Sequence, residues 1–202
     1  MFNFLVYRLF RTRKWNHLSF AGKVRALKKM EYIESKRLKR EALDVVVQDL
    51  PEDLFGRCDY FGKRILLNSF LLNNPNMQFL ALTVLFHEGR HAHQFSVVSS
   101  NKSPSRFSKA YKWKQNMQNY ITYDGKDKFS YYSMQEVERD TNEYALARLK
   151  SLHFWYRNED WYYKTLEFKI KEMQEEKSLA RKELGLFYKW KVDRKVRKKK
   201  TK

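Results

Sequence analysis

MQFLALTVLFHEGRHAHQF, residues 77–95, is apolar on almost every side as far as residue 86 and then turns abruptly polar. An uncharged apolar run of this length predicts a helix buried at the centre of a domain. Asn74 supplies an N-cap and Pro75 a first helical residue, so the helix is expected to run from there to about Phe95. Its polar end carries His87-Glu88-Gly89-Arg90-His91, the HExxH pattern. At about 100° per residue, positions four apart return to one face, so both imidazoles can reach one metal with Glu88 beside it. A chain of this composition would produce the pattern by chance about 0.01 times. Two histidines and a glutamate on a buried helix are also costly unless something satisfies them. We therefore read His87 and His91 as metal ligands and Glu88 as the catalytic base.

The residues around the motif narrow its chemistry. The chain continues Ala92-His93-Gln94-Phe95, not xxGxxH, which excludes a metzincin. His93 lies two residues past His91 and points to roughly the opposite side of a helix, so it reads as a non-ligand. Gly89 costs about 1 kcal/mol relative to Ala inside a helix, which predicts a close approach of backbone or substrate there. A catalytic zinc takes three protein ligands and a water, so a third ligand is needed. The segment QEVERDTNEYALARL, 135–149, offers Glu136, Glu138, Asp140 and Glu143 on a further helix expected from about Ser133.

At this point the chain resembles the gluzincins, zinc metallopeptidases whose third ligand is a glutamate on a second helix, written ExxAD or ExDAxxYA. Glu138 falls on the ligand, Asp140 on the acidic position two later, and Tyr144-Ala145 on the closing pair, while Thr141 and Asn142 depart from the pattern. The likeness extends to minigluzincins and to the ImmA/IrrE-like peptidases of phages and mobile elements, over residues 19 to 155. It implies one Zn²⁺ per chain held by His87, His91 and Glu138. For Asp140 two readings stand side by side, orienting a ligating histidine from behind or being a solvent-exposed helical acid. It implies hydrolysis of a protein or peptide substrate by a zinc-bound water, with Glu88 as general base. Tyr131, Tyr132, Arg139 and His153 are the candidates for stabilising an oxyanion. An edge strand, Arg64 to Asn68, would present an extended substrate.

Upstream, Ser19 can cap a helix from about 20 to 43. DVVVQDL at 44–50, LFGRCDYF at 54–61 and KRILLN at 63–68, with a turn at Gly62, predict a hairpin or a small three-stranded sheet. Residues 2–14 predict a short basic amphipathic helix, read as packing on its own domain, with attachment to a membrane surface as the competing reading. Residues 96–106 read as a polar linker, 107–120 as a helix, and the remainder from Glu159 as helical. The fold class is thus α+β and α-rich. A zincin-like domain at 19–155 lies between a basic N-terminal segment, 1–18, and a basic helical extension, 156–202.

The chain has 202 residues, 43% of them hydrophobic, which excludes a disordered polymer. Its one cysteine, Cys58, and the lack of an apolar stretch of membrane-spanning length lead us to expect a cytoplasmic protein. The net charge of +19 favours a polyanion such as nucleic acid or anionic lipid. Residues 1–40 hold 12 Lys or Arg against two acids, and residues 186–202 hold nine against one. Candidate nucleic-acid contacts are Lys189, Lys191, Arg194, Lys195, Arg197, Lys198, Lys199 and Lys200. The alternative function is a catalytically inactive zincin-fold protein that binds nucleic acid or a protein partner through this basic surface. Oligomeric state is open.

Overall fold

The computed structural model of the chain describes residues 2–100, 105, 108–120 and 135–200, with residues 2, 3, 180, 181 and 183–200 described as helix backbone. Within them the chain is α+β and helix-rich, with one small sheet. Three helices open it: α1 (Phe2–Leu9), α2 (Thr12–His17) and α3 (Phe20–Arg37). The single N-terminal helix expected over 2–14 is therefore two, broken at Phe10 and Arg11. The bend buries Phe10 against Trp15, with ring centroids 5.3 Å apart. Ser19 caps α3 as expected, its hydroxyl accepting from the Gly22 N–H at 3.2 Å. α3 stops at Arg37, six residues short of the expected end. Lys39 turns into the left-handed region, φ 53°, and this swings Arg40 back onto Glu31.

The strands β1 (Asp44–Gln48), β2 (Gly56–Asp59) and β3 (Arg64–Asn68) form a sheet in the order β1-β3-β2. β1 runs parallel to β3, and β2 antiparallel to it. β3 is thus the central strand and not an edge, a correction to the sequence reading. With β-strands on both sides its backbone groups are committed, and the two edges of the sheet are β1, which packs on α3, and β2, which packs on the helix that carries HExxH. Asn68, buried at the end of β3, ties the 50–54 loop in place. Its amide donates to the carbonyls of Leu50, Pro51 and Leu54, and its Oδ1 accepts from the Phe70 N–H.

After β3 comes a single turn, α4 (Phe70–Asn73), then the central helix α5 (Gln78–Ser100). Asn74 does not cap α5. It closes α4 instead, its amide donating to the Phe70 carbonyl, and Asn76 takes a left-handed φ of 62° before α5 begins. Residues 96–100, expected as linker, continue α5. The remaining helices are α6 (Lys109–Gln118), α7 (Glu136–Ser151), the short α8 (His153–Tyr156) and the long α9 (Asp160–Lys200).

Phe79, Ala81, Leu82, Leu85 and Phe86 of α5 are buried, meeting Ile65 and Leu67 of the sheet and Leu149 of α7 in one core. Phe10 and Trp15, before residue 19, and Tyr156 and Tyr162, after residue 155, belong to the same core. Truncating any of the aromatic members to alanine would cost about 3–5 kcal/mol. Among the described residues no helix is long and apolar enough to cross a membrane.

Candidate metal centre

α5 and α7 lie along one another, and their facing sides carry the polar residues of HExxH and of the 135–149 segment. His87 and His91, one turn apart on α5, converge with their Nε2 atoms 3.2 Å from each other. Glu138 of α7 closes the group: its Oε2 lies 3.5 Å from His87 Nε2 and its Oε1 3.3 Å from His91 Nε2. The three residues thus offer ligand atoms that all lie within 4.8 Å of one another, a group that can hold a metal ion. Glu136 is not part of it, because its carboxylate pairs with Arg139 on the surface.

The orientation of each imidazole is fixed from behind. Asn142 Oδ1 stands 3.0 Å from His87 Nδ1, and an amide oxygen can only accept, so Nδ1 carries the proton and Nε2 is left as the donor to a metal. For His91 the partner is Gln94, whose Oε1 lies 3.0 Å from Nδ1. The Gln94 amide cannot flip, since its two hydrogens go to the Val137 carbonyl and to Asp140 Oδ2, both at 3.0 Å. Asp140 therefore reaches His91 through Gln94 and touches neither histidine directly. It is itself held by Arg90, at 2.8 Å, and Lys109, at 3.3 Å. Burial raises its carboxyl, but the Arg90 hydrogen bond and charge outweigh this and hold it below the usual range.

The donor set also fits a cation electrostatically. Glu138 has 1% of its side chain exposed, and its Oε2 has no hydrogen-bond partner among the described residues. A buried carboxylate oxygen without a hydrogen-bond partner is costly unless positive charge satisfies it, and here that charge is either a proton on the imidazoles or a metal ion held between them and Glu138. Tyr120, following α6, donates to the other oxygen of Glu138 at 2.6 Å. The start of α7 is held by Asn116, whose Oδ1 accepts from the Val137 N–H at 3.2 Å where the N-cap residue Gln135 supplies no side-chain cap. Burial raises the Glu138 carboxyl, yet His91 and His87 hold it well below the ordinary carboxylate range.

Glu88 is buried on the side of α5 that faces β2. A Cβ on Gly56 would stand 2.5 Å from Val84 Cγ1 and 3.2 Å from Glu88 Cγ, so only glycine lets β2 lie this close to the motif. The Asn68 N–H donates to the Phe55 carbonyl, and antiparallel alternation then turns the N–H and C=O of Gly56 and Cys58 outward, away from β3. Burial, then the nearby Glu88, raises the Cys58 thiol.

Gly89 has a different reason from the expected backbone or substrate approach. Arg40 donates from Nε to the Gly89 carbonyl at 3.0 Å and pairs bidentately with Glu31, and a Cβ on Gly89 would meet its Nη2 at 2.8 Å. A buried ion pair, 1% exposed on both sides, is thus wedged behind the motif. His93, as expected, turns away from the ligands: its half-buried ring packs on Trp113 with centroids 6.1 Å apart. Burial and Arg90 depress its pKa.

Of the oxyanion candidates, Arg139 is engaged with Glu136 and His153 is exposed, its Nε2 3.1 Å from the Tyr163 hydroxyl. Tyr131 and Tyr132 lie outside the described residues, as do the side chains of the nucleic-acid candidates from Lys189 to Lys200. Sequence reasoning missed Gln94, Asn142 and Tyr120. The first two had a signal, a side-chain amide three residues past His91 and another four past Glu138, but nothing in the pattern tied either to a ring. Nor was Glu176 foreseen: on α9, half-buried, it senses His87 and Glu138, and burial and then Glu172 push its carboxyl up to about 7. Comparison with family models, with curated proteins and with solved structures finds no match for this chain.

Proposed function

We propose that the chain is a zinc-dependent metallopeptidase, and the observation that carries this reading is the buried Glu138 carboxylate, whose Oε2 has no hydrogen-bond partner among the described residues and lies 3.5 Å from His87 Nε2 while its Oε1 lies 3.3 Å from His91 Nε2. Two imidazoles and one carboxylate, with room for water, are the donor set of a catalytic zinc site. The same set also serves iron(II) oxygenases. A carboxylate base immediately after the first histidine favours activation of water instead. His87, His91 and Glu138 would hold the zinc, which would supply the Lewis acidity for activating a water and polarising a scissile carbonyl.

The rest of the chemistry falls to the chain's own residues. Asn142 and Gln94 keep the two Nε2 lone pairs aimed inward. Glu88 takes the proton of the attacking water and returns it to the leaving amine. The outward N–H and C=O of half-buried Cys58 offer an extended peptide a point of pairing on β2, while Gly56 beside it is buried against Glu88. Among the described residues Tyr120, whose hydroxyl donates to Glu138 at 2.6 Å, is the first to test as an oxyanion donor.

The test begins with metal content by mass spectrometry on protein purified without added metal. About one zinc per chain is expected, lost in His87→Ala and in Glu138→Ala. The zinc-loaded protein is then incubated with a library of denatured-protein peptides and the new termini are sequenced. Cleavage that appears in the parent and vanishes with chelator supports the reading. Stoichiometric zinc without any new terminus refutes the peptidase and leaves a metal-holding binding protein.

A further inference from the structure

Between α1 and α3, remote in sequence from the metal ligands, lies an open groove of about 750 Å³. Leu5, Val6 and Leu9 form one wall and Ile33 and Tyr32 the other. Its volume is in the range of sites that enclose a small organic ligand. The rim is basic, with Arg8, Lys14, Lys28 and Lys29 around an apolar floor.

The charge of this face is less balanced than the composition suggests. Residues 1–40 contain two acids, Glu31 and Glu34, and both are buried in ion pairs, Glu31 with Arg40 and Glu34 with Arg148. Neither can neutralise the rim. Among the described residues the carboxylate paired with a rim cation is Asp44, 2.7 Å from Lys28, an exposed pair of the kind that contributes little. Apolar side chains of the groove and its margin stand in water: Leu5 and Tyr32 of the walls are 60% and 57% exposed, and Phe4 outside them 45%.

We infer that this face docks on anionic membrane, with Leu5 and Phe4 entering the interface, a lipid chain occupying the groove and the lipid phosphates meeting the basic rim. An apolar slot edged by Lys and Arg, whose stems lie along the slot while their heads reach water, matches an anionic lipid group by group. A protein helix seated in the groove would cover Leu5 but leave Phe4, which lies outside the lining, in water. The bilayer takes up both. This docking is independent of the metal chemistry and is scored without it.

The experiment is flotation of the full-length protein with phosphatidylcholine vesicles, with and without about one third phosphatidylglycerol, at 150 mM salt. The parent is expected to float with the anionic vesicles only. Leu5→Asp combined with Tyr32→Asp changes two exposed positions and is expected to lower the bound fraction about tenfold, with melting temperature unchanged. Lys14→Glu with Lys29→Glu is expected to do the same. Replacing Arg194, Lys195, Arg197, Lys198, Lys199 and Lys200 by Gln is expected to leave more than half of the binding. Flotation that survives both groove variants, or that vanishes only with the tail variant, overturns the inference in favour of adsorption by the tail. A parent that ignores vesicles, yet melts higher with an acidic amphipathic peptide in a manner lost in the Leu5 variant, overturns it in favour of a protein partner.

Discussion

Asn142 Oδ1 lies 3.0 Å from His87 Nδ1 and so decides which nitrogen of that ring faces the metal group. Residues one step behind the ligands typically change metal affinity by about 10- to 100-fold when removed. Asn142→Ala is therefore expected to weaken zinc binding by that factor, as read by competition with a chromophoric chelator. Asn142→Asp, which keeps the acceptor, should recover most of the loss. Equal affinity in Asn142→Ala and the parent would mean that His87 orients itself without help.

Glu88 is on the HExxH helix but outside the ligand group, a placement suited to proton transfer and unsuited to holding the ion. Glu88→Gln should keep about one zinc per chain and lower peptide cleavage by about 100- to 10,000-fold, the range attributed to a general base. Zinc content and cleavage are measured on the same preparation. Cleavage at the parent rate in that variant would remove Glu88 from the mechanism.

The two histidines of the candidate metal group are legible from helical spacing, while Glu138 is singled out among four acids only by the resemblance to the gluzincin pattern. The helical period alone brings His87 and His91 to one face, and α7 presents Glu138 while Glu136 turns to Arg139. What could not be read depends on contacts far apart in the chain. No local signal says that Arg40 will fold back on Gly89 across 49 positions, or that Gln94 will bridge His91 to Asp140 across 46. The order of the sheet was hidden for the same reason. A parallel β1–β3 pair is formed by residues about 20 apart with β2 between them in sequence, so β3 reads as an edge although it is the middle strand. Helix ends failed where a left-handed residue intervened, at Lys39 and Asn76, since neither position carries glycine to announce it.

Gly89 offers a test of packing against propensity. Alanine is the better helix former by about 1 kcal/mol, yet its methyl would stand 2.8 Å from Arg40 Nη2. Gly89→Ala is therefore expected to lower stability in urea unfolding, by displacing the guanidinium from Glu31. Arg40→Ala alone strands the Glu31 carboxylate and should cost about 3–5 kcal/mol. In an Arg40→Met, Glu31→Met background the obstruction is gone, and Gly89→Ala should become stabilising. If Gly89→Ala stabilises the parent as well, the Arg40 wedge does not explain the glycine.

The pairing of His91 with Glu138 makes the stability of the metal-free protein depend on pH. Burial pulls the imidazole down, but the charge and hydrogen bond of Glu138 prevail and raise it from 6.5 to about 9. A group whose folded pKa exceeds its unfolded one stabilises fully below the unfolded value and loses that contribution as pH rises through the folded one. Glu138 runs the other way: held below its ordinary 4.5, it stabilises above that pH and loses its share on acidification. With chelator present, the melting temperature should therefore be highest between about 4.5 and 6.5 and decline from there to about pH 9. His91→Gln should flatten the alkaline decline. A metal must displace the proton from Nε2, so zinc affinity should rise over the window in which metal-free stability falls, with protons released on binding. Calorimetry of zinc binding in two buffers of different ionisation heat counts those protons. A melting temperature flat from pH 6 to pH 9.5 in chelator, with no proton released, would show that His91 is already neutral and that Glu138 does not charge it.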